Sequence, residues 1–149
     1  MSEPPSPRPG VTTIRPARIE DRDQVWPLAR ELATSYEVQP DAYATAFAVS
    51  VQADDALVLV AERDGVVIGY LLGQAHHTFH ANGRALWVEE VMVHTDHRGS
   101  GVGRALMAAV EDRAREAGAA YLALATRRAA DFYSTLGFEA SATYFTRGL

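Results

Sequence analysis

Arg98, Gly99, Ser100, Gly101, Val102, Gly103 and Arg104 form a cationic, glycine-rich run. It follows a strand-like stretch, residues 86–93, and opens a helix-like one, residues 102–117. A turn of this kind suits a phosphate group. Glycines let the backbone approach a ligand and adopt φ > 0. The unpaired N–H groups at a helix start point at an anion, and the helix dipole favours negative charge there. Arg98 and Arg104 add positive charge to the same turn. Just upstream stand two carboxylates, Glu89 and Glu90. A two-residue strand period points them to opposite faces, so that only one faces a cleft. Burial beside apolar neighbours would raise the pKa of such a group toward working pH. Solvated strand charges are the alternative for both.

Two familiar phosphate turns do not fit. A mononucleotide loop needs Lys-Ser/Thr after its last glycine, and here Arg104 and Ala105 follow Gly103. A dinucleotide fingerprint needs a third glycine where Arg104 stands, and residues 119–125 lack the ribose-binding acid. No nucleophile elbow G-x-S-x-G is present. His76, His77 and His80 cluster in a polar connector without a nearby carboxylate. They read as a solvated or substrate-lining loop, and no metal is expected.

The elements that must position these residues follow from periodicity and breakers. Pro4, Pro5, Pro7 and Pro9 mark residues 1–10 as a disordered or extended tail. Residues 11–14 read as a short strand. Residues 21–36 read as a helix with Val25, Leu28, Ala29 and Leu32 on one face, starting late or kinked at Pro27. A weaker helix spans 41–51. Residues 56–62 and 66–74 form a hairpin through Asp64-Gly65. The connector covers 75–84, and a strand covers 86–93. The clearest helix, 102–117, carries Val102, Leu106 and Val110 on one stripe and stops at Gly118. A strand over 121–125, a short helix over 129–136 and one or two strands over 138–146 complete the chain. The class is α/β.

The chain has 149 residues, enough for one domain over residues 11–149 with a buried core. Its formal net charge of -5 argues against nucleic acid or an anionic membrane as main partner. It has no cysteine, which excludes disulfides, thiolate metal sites and an acyl-cysteine intermediate. No apolar run is long enough to span a bilayer, and a secretory signal pattern is absent. A cytoplasmic protein is expected.

The pattern that does fit is [Q/R]-x-x-G-x-[G/A], filled by Arg98, Gly101 and Gly103. It resembles the acetyl-CoA-binding motif of the GCN5-related N-acetyltransferases (GNAT). Two more segments are similar to that family: 88–93, like its fourth strand, and 129–138, like its A-x-x-F-Y-x-x-x-G-F helix and turn. The resemblance is strong over 86–138 and rests on element order before that. Two positions depart from it. Thr126 stands where the family usually has asparagine, and His94-Thr95 lacks the common proline.

The resemblance implies a mixed, mostly antiparallel, splayed sheet of roughly six to seven strands flanked by about four helices. It implies acetyl-CoA as cosubstrate, held between the fourth and fifth strands. Val91, Met92 and Val93 would pair with the pantetheine arm. Arg98, Gly99, Ser100, Gly101, Val102, Gly103 and Arg104 would hold the pyrophosphate, with Thr126 offering a hydroxyl. The reaction implied is acetyl transfer to a primary amine, by direct attack in a ternary complex. A lysine-like amine, of pKa about 10, must lose a proton before it attacks. Glu89 is the candidate base, at the spacing from Arg98 that polyamine acetyltransferases show, with Glu90 as second candidate. Tyr133 is the candidate acid, since a phenol of pKa about 10 can protonate a leaving thiolate. The acceptors in view are small amines of polyamine, aminoglycoside, amino acid or aminophosphonate type. A histidine-bearing segment similar to 76–84 occurs in aminoalkylphosphonate acetyltransferases. A protein lysine or N-terminus, or a non-catalytic acyl-CoA sensor, are the other readings. The alternating aromatic segment 141–146 resembles strands that pair across a homodimer.

Overall fold

The computed structural model describes the chain except residues 1, 4 and 7. Part of the expected proline-rich tail, Pro4 and Pro7, therefore lies outside the described residues. Further along, Gly10 donates its N–H to the Asp64 carboxylate at 2.9 Å.

Five strands form one sheet in sequential order: β1 (Thr13–Pro16), β2 (Ala56–Arg63), β3 (Val66–His77), β4 (Arg84–Val93) and β5 (Ala119–Leu124). The first three pairings are antiparallel, and β4 pairs with β5 in parallel. The parallel pair requires a crossover, which α3 (Val102–Glu116) supplies. Helices α1 (Arg22–Leu32) and α2 (Pro40–Gln52) cover one sheet face, and α3 covers the other. The strand period sorts the core accordingly. Leu57, Leu59 and Ala61 face α3, while Val58 and Val60 face α1 and α2. The α3 stripe is the expected one, with Val102, Leu106, Met107, Val110 and Ala114 buried.

Several expectations need correction. The sheet has five strands, because residues 138–146 form none. Their alternating aromatic pattern fits a strand, but β-propensity without a ladder partner does not make one. The connector is shorter than expected: His76 and His77 end β3, opposite Ala85 and Arg84 of β4. Polar residues at a strand end leave no hydrophobic signal. Pro27 lies inside α1 and neither delays nor ends it. The carbonyl it leaves unbonded belongs to Asp23, an exposed residue that water can serve. Helix α1 also stops earlier than expected, where Ala33 turns extended.

Beneath α1 runs a buried ion-pair set. Asp21, 4% exposed, accepts from both terminal nitrogens of Arg15 at 2.8 and 2.9 Å. Arg15 also reaches Glu62 at 2.7 Å. This cluster ties β1 and β2 to the start of α1.

Candidate active site

The site begins where β4 and β5 part. Their pairing runs from Arg84 opposite Ala119 to Val88 opposite Leu124, and stops. Beyond Val88, β4 is paired only with β3. His94 donates its N–H to the Ile68 carbonyl at 2.7 Å. By antiparallel alternation Met92 then also bonds toward β3, and Val91 and Val93 direct their backbone groups to the open side. The Val93 carbonyl there accepts from the Arg98 guanidinium at 3.2 Å.

The glycine turn closes one end of this opening. Gly99 and Gly101 have φ of 76° and 88°, a region costly for residues with a Cβ. Within residues 99–104, no backbone N–H donates to another described residue. The first helical bond is from Ala105 to the Gly101 carbonyl at 3.0 Å. Gly101 caps α3 without any side-chain oxygen, and the first turn carries no acid. A row of free donors with Arg98 and Arg104 exposed beside it is a cradle for an anion. The Ser100 hydroxyl is spent on the His97 carbonyl at 2.5 Å. Glu31, at the end of α1, steadies the turn: it accepts from the Thr95 hydroxyl at 2.8 Å and lies 3.6 Å from Arg98.

The two carboxylates depart from the expected arrangement. Leu72 pairs with Glu90 and Gly73 with Val88, so Glu89 is an extra residue, a β-bulge. Val88 and Val91 both join the α3-side core. The intervening Glu89 and Glu90 therefore share the α1–α2 side rather than opposing faces. The bulge breaks the two-residue period on which the expectation rested. Glu90 accepts from the Tyr70 hydroxyl at 2.6 Å. Desolvation against the sheet pushes the Glu89 carboxyl above its usual pKa; the Glu90 charge adds to this, and His76 opposes it. Burial, with the Glu90 charge and hydrogen bond behind it, raises the Tyr70 phenol.

Tyr133 sits on α4 (Ala130–Thr135), half-buried against the α3-side core. Its ring lies edge-on to Phe132 and Phe138, with centroids 5.1 and 5.9 Å away. Burial raises its phenol's pKa, and its hydroxyl bonds to no described residue. A Cβ on Gly103 would lie 3.5 Å from the Phe132 ring and 3.9 Å from Val93. The start of α4 thus stands beside both the glycine turn and the open edge of β4. Thr126 accepts the Ala129 N–H at 3.0 Å, which shapes the turn into α4.

Other features are more distant or less organised. His76 is near Glu89, but no group of three or more His, Cys, Asp or Glu among the described residues could hold a metal ion. No described helix is long and apolar enough to cross a membrane. A cavity of 410 Å³ between the end of α3, β5 and Leu136 to Glu139 contains none of the expected site residues. Sequence reasoning missed Tyr70, Glu31 and Thr95. Each acquires a role only through a partner distant in sequence, so no local signal marks it.

Comparison with known proteins identifies the family and the fold. The family model described as acetyltransferase (GNAT) family matches residues 22–138. An aminoalkylphosphonate N-acetyltransferase of Salmonella typhimurium is 33% identical over 147 residues, covering 93% of this chain and 92% of that protein. Among solved structures, the aminoglycoside N-acetyltransferase AAC(6')-Iy in complex with CoA has a TM-score of 0.82 at 25% identity. It matches 96% of this chain and 98% of its own. The glucosamine-6-phosphate N-acetyltransferase of Arabidopsis thaliana has a TM-score of 0.81 at 20% identity, over 93% and 98% of the two chains, a likeness of fold.

Proposed function

The chain belongs to the acetyltransferase (GNAT) family and is an acyltransferase, and from that premise we propose that it moves the acetyl group of acetyl-CoA to a small primary amine. The observation that carries the reading is the row of unpaired N–H groups over residues 99–104, at the open end of β4. Donors at a helix start hold a pyrophosphate well, and the fit is tested by what the residues offer. Gly99 and Gly101 leave open space where a side chain would stand. Arg98 and Arg104 supply charge. The Val91 backbone groups and the Val93 N–H face the gap, as a strand edge does toward an extended ligand. The pantetheine arm of acetyl-CoA is such a ligand. Met92 lends its buried side chain to hold this part of β4, and Val102 anchors α3 beneath the turn. Thr126 keeps α4 in place, and Ser100 braces the loop.

The chemistry then divides across the sheet. Glu89 takes a proton from the incoming ammonium, directly or through water, on the α1–α2 side. The nitrogen bonds to the acetyl carbon, the carbon–sulfur bond breaks, and the nitrogen gives its second proton to water as the amide forms; Glu89 then releases its own proton to solvent. A backbone N–H of Val91 or Val93 stabilises the charge that gathers on the carbonyl oxygen. Tyr133, on the α3 side, gives its proton to the departing thiolate and regains one from solvent. A Glu89 carboxyl raised above its ordinary value is a stronger proton acceptor than an unperturbed one. Glu90, bonded to Tyr70, is less free to act as that base.

Calorimetric titration with acetyl-CoA tests the cradle, with Gly101→Glu as control. Micromolar binding that the variant loses supports the reading, and thiol release on adding amines then measures transfer. No binding to folded wild type overturns it. Binding without turnover on any amine leaves an acyl-CoA-binding module instead.

A further inference from the structure

A second, small pocket lies between α1, α2 and the sheet, on the carboxylate side of β4. Its volume is 80 Å³. Tyr43, Phe47, Tyr70 and Leu72 make its walls, Ser50 of α2 edges it, and Glu90 is its single charged group. Tyr70 is 3% exposed, and its one hydroxyl proton goes to Glu90. The Tyr43 hydroxyl is turned away, donating to the Arg22 carbonyl at 2.6 Å. No described cation lies within ion-pair distance of Glu90.

A carboxylate facing apolar space costs free energy unless a partner meets it. Tyr70 satisfies one lone pair of one oxygen. Three aromatic rings around the remaining space favour a cation over an anion. A water-sized group needs about 10–15 Å³ of such volume, so the pocket takes a chain of about five to eight non-hydrogen atoms. Glu90 is flanked by Glu89 and by Val91, whose backbone faces the open edge of β4. An ammonium held by Glu90 is thus one residue along β4 from the open-edge backbone of Val91.

Resting on the acetyltransferase reading above, we propose that this pocket selects the acceptor. Glu90 binds the ammonium of a short, unbranched primary alkylamine, and the aromatic pocket takes its hydrocarbon arm. Tyr70 acts as a positioning residue that orients the Glu90 carboxylate. A molecule with an anionic arm, such as an aminoalkylphosphonate, buries that charge among uncharged walls with no cation to meet it and is disfavoured.

The test uses the full chain with acetyl-CoA and compares n-butylamine with 2-aminoethylphosphonate by thiol release. The expected result is a kcat/KM at least about tenfold higher for n-butylamine. Ser50→Leu, which fills the pocket from α2, should raise the KM for n-butylamine about tenfold and leave acetyl-CoA affinity unchanged. Ala46→Leu, at an exposed helix position lining the same pocket, replaces it if Ser50→Leu does not fold. Binding of n-butylammonium chloride, followed by NMR with and without acetyl-CoA, reports on the pocket apart from turnover. A preference for 2-aminoethylphosphonate, or n-butylammonium binding that neither filled variant weakens, overturns the pocket and leaves the acetyltransferase reading intact. Failure of acetyl-CoA to bind overturns that reading, while n-butylammonium binding still decides the pocket. Absence of n-butylammonium binding in both states overturns the pocket proposal.

Discussion

At the scale of residues, Glu89 and Tyr133 are proposed to divide the proton work. Removing the proton acceptor by Glu89→Gln should lower kcat/KM by about 100-fold or more, and the acid limb of its pH profile should vanish. The sign for stability is opposite. Because Glu89 has a raised pKa in the folded chain, its ionised form weakens the fold. That penalty is absent below the unfolded pKa and complete above the folded one. The Glu89→Gln variant should therefore melt no lower than wild type at pH 7, with any advantage shrinking as pH falls through the folded pKa. Tyr133→Phe keeps the ring packing against Phe132 and Phe138 and removes only the donor. It should slow transfer about 100-fold and leave acetyl-CoA affinity unchanged by calorimetry. An unchanged rate would remove Tyr133 from the mechanism. Both residues were candidates in the sequence through their places in motifs. The partnership of Glu90 with Tyr70 was not, because their separation along the chain is bridged only by strand pairing.

At the scale of elements, the β-bulge at Glu89 and the early end of the β4–β5 ladder shape the site. Neither has a local signature: a bulge shows only when one strand is aligned with the next. The glycine turn is the reverse case. Its residues announce a positive-φ backbone, and Gly99 and Gly101 adopt one. The join between β1, β2 and α1 carries a separate expectation. Asp21 holds Arg15 in a buried, two-bond pair, and the Arg15 hydrogen bond keeps its carboxyl below the usual pKa. Asp21→Ala leaves the guanidinium with Glu62 as its remaining carboxylate and should cost about 2 kcal/mol in urea unfolding at pH 7. A depressed carboxyl contributes stability above its unfolded pKa and loses it as pH falls through the folded value. The gap between wild type and Asp21→Ala should thus narrow below about pH 4.

At the scale of the whole molecule, one sheet separates two chemical compartments. The turn and Tyr133 lie toward α3, and the carboxylates lie toward α1 and α2. The open stretch of β4 is where they meet. A ligand that fills this gap binds only the folded chain and should stabilise it by mass action, by about 2.7 kcal/mol at a hundredfold excess over Kd. Acetyl-CoA should accordingly raise the melting temperature of wild type, and the shift should disappear in Gly101→Glu. That variant puts a side chain at a φ of 88° and a negative charge in an anion cradle. An equal shift in both proteins would place the ligand elsewhere.

The amino-acid sequence by itself determined the helical stripe of α3, the hairpin at Asp64-Gly65, the glycine turn and the family to which they belong. These depend on local periodicity and on residues whose backbone preferences are strong. Only the tertiary structure decided that Glu89 and Glu90 share one side, that His76 and His77 are strand residues, and that residues 138–146 add no strand. The physical reason is common to all three. Each depends on which backbone groups find a partner across the sheet, and that pairing is made between segments far apart in the chain.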